Sequence, residues 1–510
     1  MAKLIIDGKE LEVPDGTSLF DACREARGEA LPHFCYHPDL SIAGVCRLCQ
    51  VEVEGMPKLT IACNTTVREG LVVHTRSERV TRAAQQILEM HLINHPVDCP
   101  ICDQAGECGL QDQYMKYGLY DSEVTMAQKV NKAKVKVIGP QVILDQERCV
   151  LCSRCVRFCN EVTGTNELGV FNRGDRAEID VAPGIELDNN YSLNTVDICP
   201  VGALTSRDFR FQKRVWMLKS ADSVCPGCAT GCNVRIDHEA GRVYRLKPRH
   251  NPEVNGSWMC DLGRMTYKEI HRDNRLVDPL HGGRVLRWAD LGAVRTGLLG
   301  GGVGLAVSSP YQSLEEQFLL QALAAGAPLS GGLRSAGRGE ADDLLLDADR
   351  TPNRKGLEML GFAGQETAAL VAAIGAARGA VLVHGGDPAA EPSVAAALKT
   401  HGRVIYVGTH HNATAECATL VLPGAMWAEK AGLFANRDGR LQAFGQAVAR
   451  PGTAREDWRI LAELADDDGP GSLKAVRDGL AAALGLGETN LDKLPARGLV
   501  PQGAPAGGEG

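Results

Sequence analysis

No apolar run in this chain reaches the ~18–20 residues that would cross a bilayer. The N-terminus, MAKLIIDGKELEV, has neither an apolar signal region nor a twin-arginine pair, so no export signal is expected. Net charge is −8 and no long basic block occurs, which argues against a nucleic-acid partner. A strand-to-helix GxGxxG is also missing, so no nicotinamide or flavin site is expected. After Cys260 cysteine all but vanishes, with Cys417 the one that follows.

Cysteine is dense in the first half. Of the 18 cysteines, 16 lie between Cys35 and Cys260. Without an export signal they read as metal ligands rather than disulfides. The 510 residues exceed one hydrophobic core, so several domains are expected. Nearly all the cysteines fall into four sets, each able to close around one metal centre: Cys35, Cys46, Cys49 and Cys63; His95, Cys99, Cys102 and Cys108; Cys149, Cys152, Cys155 and Cys199; Cys225, Cys228, Cys232 and Cys260. Four centres in tandem suggest a row of redox sites, and hence electron transfer.

The first set lies in 1–78. KLIIDGKELEV alternates about an Asp7-Gly8 turn, a hairpin signal, and Ser18–Arg27 reads as a short helix capped by Thr17 or Ser18. The spacing C-x10-C-x2-C-x13-C looks like a ferredoxin-type [2Fe–2S] domain, although it departs from the plant-type spacing. Cys23 reads as a core thiol, and His33 and His37 as polar loop residues. In 79–139 a helical pattern runs to His95-Pro96, followed by H-x3-C-x2-C-x5-C. Three thiolates leave one iron of a cubane unsatisfied. A neutral imidazole is a competent fourth ligand. Without those cysteines His95 would read as a helix C-cap. His74 and His91 read as structural or surface residues.

In 140–217, Cys149, Cys152, Cys155 and Cys159 form the bacterial ferredoxin run. The Cys-Pro expected at the fourth ligand is supplied by Cys199-Pro200, because Cys159 precedes Asn160. One [4Fe–4S] cluster on Cys149, Cys152, Cys155 and Cys199 follows, with Cys159 left as a buried free thiol. In 218–274 the spacing is C-x2-C-x3-C-x27-C. Structural zinc is one reading of it. The three preceding sets favour a third [4Fe–4S] cluster. This spacing resembles the N-terminal cluster domain of molybdopterin oxidoreductases.

HFCYHPDLSIAGVCRLCQVEVEG, NHPVDCPICDQAGECGLQD and CVLCSRCVRFC, in that order, resemble the family of iron–sulfur electron-input subunits (the G subunits) of NADH-quinone oxidoreductase, respiratory complex I. The resemblance covers 1–275 and continues more weakly to about 450. It implies one [2Fe–2S] site, a [4Fe–4S] site held by His95 and three cysteines, and an all-cysteine [4Fe–4S] site in or beside the electron path. By the same resemblance a fourth cluster occurs only in some bacterial members and is expected off the main path. It also implies partners: a flavin/NADH-binding subunit on one side and a quinone-reducing module on the other. The location implied is cytoplasmic, peripheral on the inner face of a bacterial cell membrane. No catalytic residue is expected on this chain.

Residues 275–496 resemble the molybdopterin-oxidoreductase fold. AVSSPYQSLEEQFLLQAL, AVLVHGGDPAAEPSVAAAL and RVIYVGTHHNATAECATLVLP read as α/β layers. GLFANRDGRLQ resembles that family's Asn…Glu-Gly-Arg signature, with Asp438 in place of the acid. Cys417 lies too late for a molybdenum ligand, so a degenerate scaffold without molybdopterin is expected. Gly385, Gly386 and Pro388 then form only a tight turn. The fold class expected is α+β and α/β multidomain: a β-grasp ferredoxin-like domain, a histidine/cysteine cluster domain, a ferredoxin-like [4Fe–4S] domain and the degenerate α/β domain. Residues 497–510 read as a disordered Pro/Gly tail. Two other classes fit less well. One is an NAD-linked formate dehydrogenase or hydrogenase iron–sulfur subunit. The other is a zinc-stabilised scaffold.

Overall fold

The first hairpin follows from its turn. Asp7 and Gly8 both take positive φ, 49° and 80°, and Ala2–Ile6 pairs antiparallel with Lys9–Val13, as a two-residue Asp-Gly loop favours. Leu71–His74 joins Ala2–Ile6 in parallel. Gln50–Val53 and Thr60–Ile61 complete a five-stranded sheet. Helix Leu19–Arg27 starts where the Ser18 hydroxyl accepts from Asp21 N and stops at left-handed Gly28. Leu19, Phe20, Ala22 and Cys23 share one core with Leu4, Ile6, Val51 and Val73. Burial pushes the Cys23 thiol up to about 12.

The computed structural model describes residues 1–119, 121, 129–465, 470–487 and 489–501. They fall into two compact units, Met1–Leu218 and Lys219–Gly510. The first unit continues with helix Glu78–Leu92, capped by Ser77. It stops short of Pro96, in keeping with the proline boundary. Helix Gly109–Tyr117 packs against it. A small antiparallel sheet then runs Leu204–Ser206, Val142–Leu144, Lys136–Val137, and helix Arg154–Glu161 carries Cys155 and Cys159 of the ferredoxin-like run.

The second unit opens with three antiparallel strands, Lys219–Val224, Asn233–Glu239 and Arg242–Pro248. Its centre is an eight-stranded sheet. From one edge the order is Arg284–Val285, Leu280–His281, Leu420–Pro423, Val404–Gly408, Ala380–His384, Val303–Ser308, Leu329–Leu333, Ala363–Gln365. The last six pair in parallel. Ala380–His384 and Val404–Gly408 are buried at every position, as strands covered on both faces must be. The expected strand–helix alternation is present, including a capping box in which Ser313 and Glu316 start helix Leu314–Ala324. The fold is thus mixed α+β and α/β. No helix among the described residues is long and apolar enough to cross a membrane. Leu499 lies inside the stretch expected to be disordered, yet it exchanges two backbone hydrogen bonds with Leu441 (2.8 and 3.0 Å). That pairing fixes the start of the tail; the expectation for 502–510 falls outside the described residues.

Candidate functional site

Cys35, Cys46 and Cys49 lie in the loop between the helix and the Gln50–Val53 strand, and Cys63 in the turn Ala62–Asn64 that follows Thr60–Ile61. Cys35, Cys46, Cys49 and Cys63 are all buried. The Cys35 and Cys46 sulfurs are 3.4 Å apart, and Cys63 reaches both Cys35 and Cys49. Backbone N–H groups point inward: Phe34 N lies 3.4 Å from the Cys46 sulfur. Hydrogen bonds from Cys46 and Cys63 hold the Cys35 thiol far below its ordinary value, while donating to Cys35 drives those two up.

The second set is more open. Cys99 and Cys108 are half-buried and Cys102 is buried. Burial holds His95 down at about 4, so its ring is neutral at pH 7, the form that ligates. Val97 N donates to His95 Nδ1 at 3.1 Å. Arg148 and Asp98 act electrostatically on both His95 and Cys102, which places imidazole and thiol in one neighbourhood. Arg148 is itself buried and forks onto Asp98 (3.0 and 2.7 Å).

The third set depends on unusual backbone. Leu151 and Ser153 both take positive φ (52° and 59°), which winds the chain so that Cys149, Cys152 and Cys155 line one cavity with Cys199. Leu151 N sits 3.4 Å from the Cys149 sulfur, and Cys199 receives N–H groups from Val201, Leu204 and Ala203. Burial pushes Cys149 up to about 12 and Cys152 to about 11. Cys159 is absent from this cavity's lining. Its thiol, also pushed to about 12 by burial, faces Glu167.

The fourth set, in the second unit, is closed by glycines. Gly227 N and Gly263 N approach the Cys225 and Cys260 sulfurs at 3.4 and 3.3 Å. A Cβ on Gly263 would stand 2.9 Å from the Cys225 sulfur. Burial drives Cys225 and Cys232 well up, and Cys260 to about 11. The motif around Gly432–Gln442 has a role that the sequence did not disclose. Asn436 donates to Thr230 O, and Gln442 donates to Gly231 O, so the Gly432–Ala435/Leu441–Phe444 hairpin clamps the loop between Cys228 and Cys232.

Each set therefore offers four soft donors. Several of their thiols are pushed up by burial and would keep their protons in the absence of a metal. Soft thiolate and imidazole donors of this kind suit zinc or iron–sulfur groups, and binding would release the protons.

Within the first unit the sites are not arranged in chain order. Arg157 donates to Cys35 O (2.5 Å) and toward Cys152 O (3.5 Å), which makes the first and third sets neighbours. Gly109 N donates to Pro200 O at 2.8 Å. A Cβ on Gly202 would lie 2.3 Å from the Cys102 sulfur, so the second and third sets also adjoin. The third set thus touches both others. Gly202 and the three arginines at 148, 154 and 157 were not singled out by spacing. Their adjacency to ligand cysteines in sequence was the available signal.

The second unit also holds a crevice of about 610 Å³. It lies beyond the carboxyl ends of Val303–Ser308 and Ala380–His384, where strand order reverses, the usual ligand crevice of parallel sheets. Gly385 and Gly386 take positive φ at its rim. A Cβ on Gly385 would meet Gln312 Nε2 at 2.0 Å, so this turn is packed against protein. Lys430 lines the crevice, and it reaches a buried cluster where Glu316, His384 and Asp457 converge. The cation among them is the Lys430 ammonium, 2.7 Å from Glu316 and 3.1 Å from Asp457. Cys417 is elsewhere, its sulfur 3.8 Å from Ala395 O.

Comparison matches the chain, domain by domain, to models of iron–sulfur and molybdopterin-oxidoreductase domains. Residues 1–78 match a 2Fe-2S iron-sulfur cluster binding domain. Residues 85–123 match the NADH-ubiquinone oxidoreductase-G iron-sulfur binding region. Residues 139–205 match the ferredoxin-like domain of NADH-quinone oxidoreductase subunit 3. Residues 218–272 match the molybdopterin oxidoreductase Fe4S4 domain, and 304–467 match molybdopterin oxidoreductase.

The chain is similar to the G subunit of NADH-quinone oxidoreductase from Rickettsia bellii, 42% identical over 279 residues, 55% of this chain and 40% of the relative. It is 43% identical over 282 residues to the corresponding G subunit from Streptomyces coelicolor, covering 55% and 33%. It is 41% identical over 280 residues to the mitochondrial NADH-ubiquinone oxidoreductase 78 kDa subunit of Candida albicans, covering 54% and 38%. The match therefore spans less than half the length of these relatives. A solved structure, NAD+-reducing [NiFe]-hydrogenase in the H2-reduced state, is 28% identical and covers 42% of this chain and 91% of that one. Its TM-score is 0.38, which carries no argument about the fold.

Proposed function

We propose that this chain is an electron-relay subunit of the peripheral arm of an NADH-quinone oxidoreductase. It would carry one [2Fe–2S] cluster on Cys35, Cys46, Cys49 and Cys63. Three [4Fe–4S] clusters would sit on the His95, Cys149 and Cys225 sets. The observation that carries this reading is the contiguity of the first, third and second sets in one compact unit, each neighbour joined through backbone or a buried arginine. Such a row suits stepwise electron transfer and has no purpose in a zinc scaffold. The clusters supply the redox chemistry. The chain's own groups ligate them, exclude water and aim N–H donors at sulfur, which tunes potential.

Electrons would come from a flavin/NADH-binding partner and leave toward a quinone-reducing module, with the complex seated on the inner face of a bacterial cell membrane. The relatives' names support the NADH and quinone ends of this path. The crevice of the second unit is read as lacking molybdopterin, because its Gly385 turn is filled by Gln312 and the Lys430 that lines it is paired with buried carboxylates. Anaerobic iron and sulfide assays are expected to give about 14 iron atoms per chain with equal sulfide. A value near ten would remove one four-iron group, and stoichiometric zinc would overturn the iron reading of the set that holds it.

A second expectation concerns His95. Imidazole in place of thiolate removes one negative charge from the cluster and its ligands, so His95→Cys should retain the cluster at a lower reduction potential. His95→Ala should weaken or lose it. Electron paramagnetic resonance (EPR) with potentiometric titration reads both. Identical spectra and potentials in parent and variants would remove His95 from the ligand set.

A further inference from the structure

Two arginines lie between the first and third sets, and their surroundings differ from those of Arg148. Arg148 is neutralised by carboxylates, Asp98 at 2.7 Å and Asp145 at 3.3 Å. Among the described residues, Arg154 and Arg157 form no ion pair. Arg157 is buried. Its donors go to Cys35 O, Cys152 O, Ser41 O and the Ser153 hydroxyl. Arg154 donates to Tyr36 O at 2.5 Å and to Ile198 O at 3.0 Å, one residue beyond Cys35 and one before Cys199. Guanidinium stays charged in proteins. A buried charge without a counter-ion is costly. Arg157 is such a charge and the half-buried Arg154 lies beside it, so negative charge is called for nearby, and the ligand sulfurs of the two flanking sets are the available source.

We propose that Arg154 and Arg157 form a positive bridge between the first and third ligand sets, raising the reduction potentials of both clusters and fixing their spacing. This rests on the iron–sulfur reading above. Both act as positioning and tuning residues, because their hydrogen bonds go to backbone carbonyls of the two ligand loops and to the Ser153 hydroxyl, not to a ligand sulfur. Positive charge favours the reduced, more negative state of a nearby cluster, and in a buried site little water screens it. The same pair couples the two domains mechanically, since the carbonyls it binds belong to both loops. Glu161, one turn beyond Arg157, adds a second tie by accepting from Ser41 N at 2.8 Å.

The test uses the full-length holoprotein, with potentiometric EPR titration of all clusters in Arg157→Gln, Arg157→Lys and Arg154→Gln. Arg157→Gln is expected to move the first and third midpoint potentials together to more negative values, leaving the second and fourth in place. Arg157→Lys keeps the charge and should return both most of the way. Arg154→Gln should act in the same direction, and it carries the test if Arg157→Gln does not assemble. Unmoved first and third potentials with clusters intact would overturn the bridge. So would a shift of all four clusters alike, or a lysine variant as displaced as the glutamine one. A parent protein without iron–sulfur signals would instead sink the functional reading, and the bridge with it.

Discussion

Lys430→Met is expected to destabilise the second unit by about 3–5 kcal/mol, because it leaves two carboxylates buried without their cation. Lys430 Nζ is 2.7 Å from Glu316, 3.1 Å from Asp457 and 3.2 Å from Gln312 Oε1. The Lys430, Glu316 and Asp457 side chains are at most 3% exposed. Methionine keeps the stem volume and removes the charge. In the parent, burial raises Glu316, while Lys430 and hydrogen bonds hold Asp457 below the usual carboxylate range.

The sign of the pH effect follows. Asp457 contributes stability that is present above its unfolded pKa and is lost as pH falls through its lower folded value. Without Lys430 both carboxylates rise, and the folded state binds more protons than the unfolded one. Stability of the variant should therefore fall as pH rises above the ordinary carboxylate range, so its deficit should be larger at pH 8 than at pH 5. Urea unfolding followed by tryptophan fluorescence at the two pH values checks this. Trp258, Trp288, Trp427 and Trp458 all lie in the second unit, against Trp216 in the first. Equal deficits at both pH values would refute the unpaired-carboxylate account.

Gly202→Ala is expected to cost the second site its metal. The new methyl group would stand 2.3 Å from the Cys102 sulfur and 3.2 Å from Gln104 Cβ. A cysteine held by a metal cannot swing aside as a free side chain would. Iron should fall by about four atoms per chain, with the EPR signals of the other clusters kept. Gly292→Ala is the control, since nothing lies within 4 Å of a Cβ there. Full iron content in Gly202→Ala would show that Cys102 is not held where the ligand set requires it.

Much of this was legible in the sequence because its determinants are local. A CxxC spacing brings two sulfurs together whatever the rest of the chain does, and an Asp-Gly turn sets its own hairpin. The strand–helix alternation of the second half was readable for the same reason. The spatial order of the sites was not. It rests on contacts such as Arg157 to Cys35 O and Ser41 to Glu161, between residues far apart in the chain. The role of Gly202 was hidden too, because a glycine required by a distant sulfur looks like any loop glycine. Leu499 shows the converse. Its Pro/Gly surroundings speak for disorder, but one pairing with Leu441 decides otherwise.

The wall of the second site has a consequence during synthesis. All its candidate ligands have been made once Cys108 leaves the ribosome, yet the groups that cover them come much later. Pro200 O receives Gly109 N, Gly202 packs on Cys102, Val215 and Trp216 crowd Gly106, and Arg214 binds Cys102 O. A cluster inserted at the earliest moment would stand open to oxygen and chelators while the nascent chain grows through the third site. Delivery to the second site is therefore safest as a late event, after the third domain has closed over it.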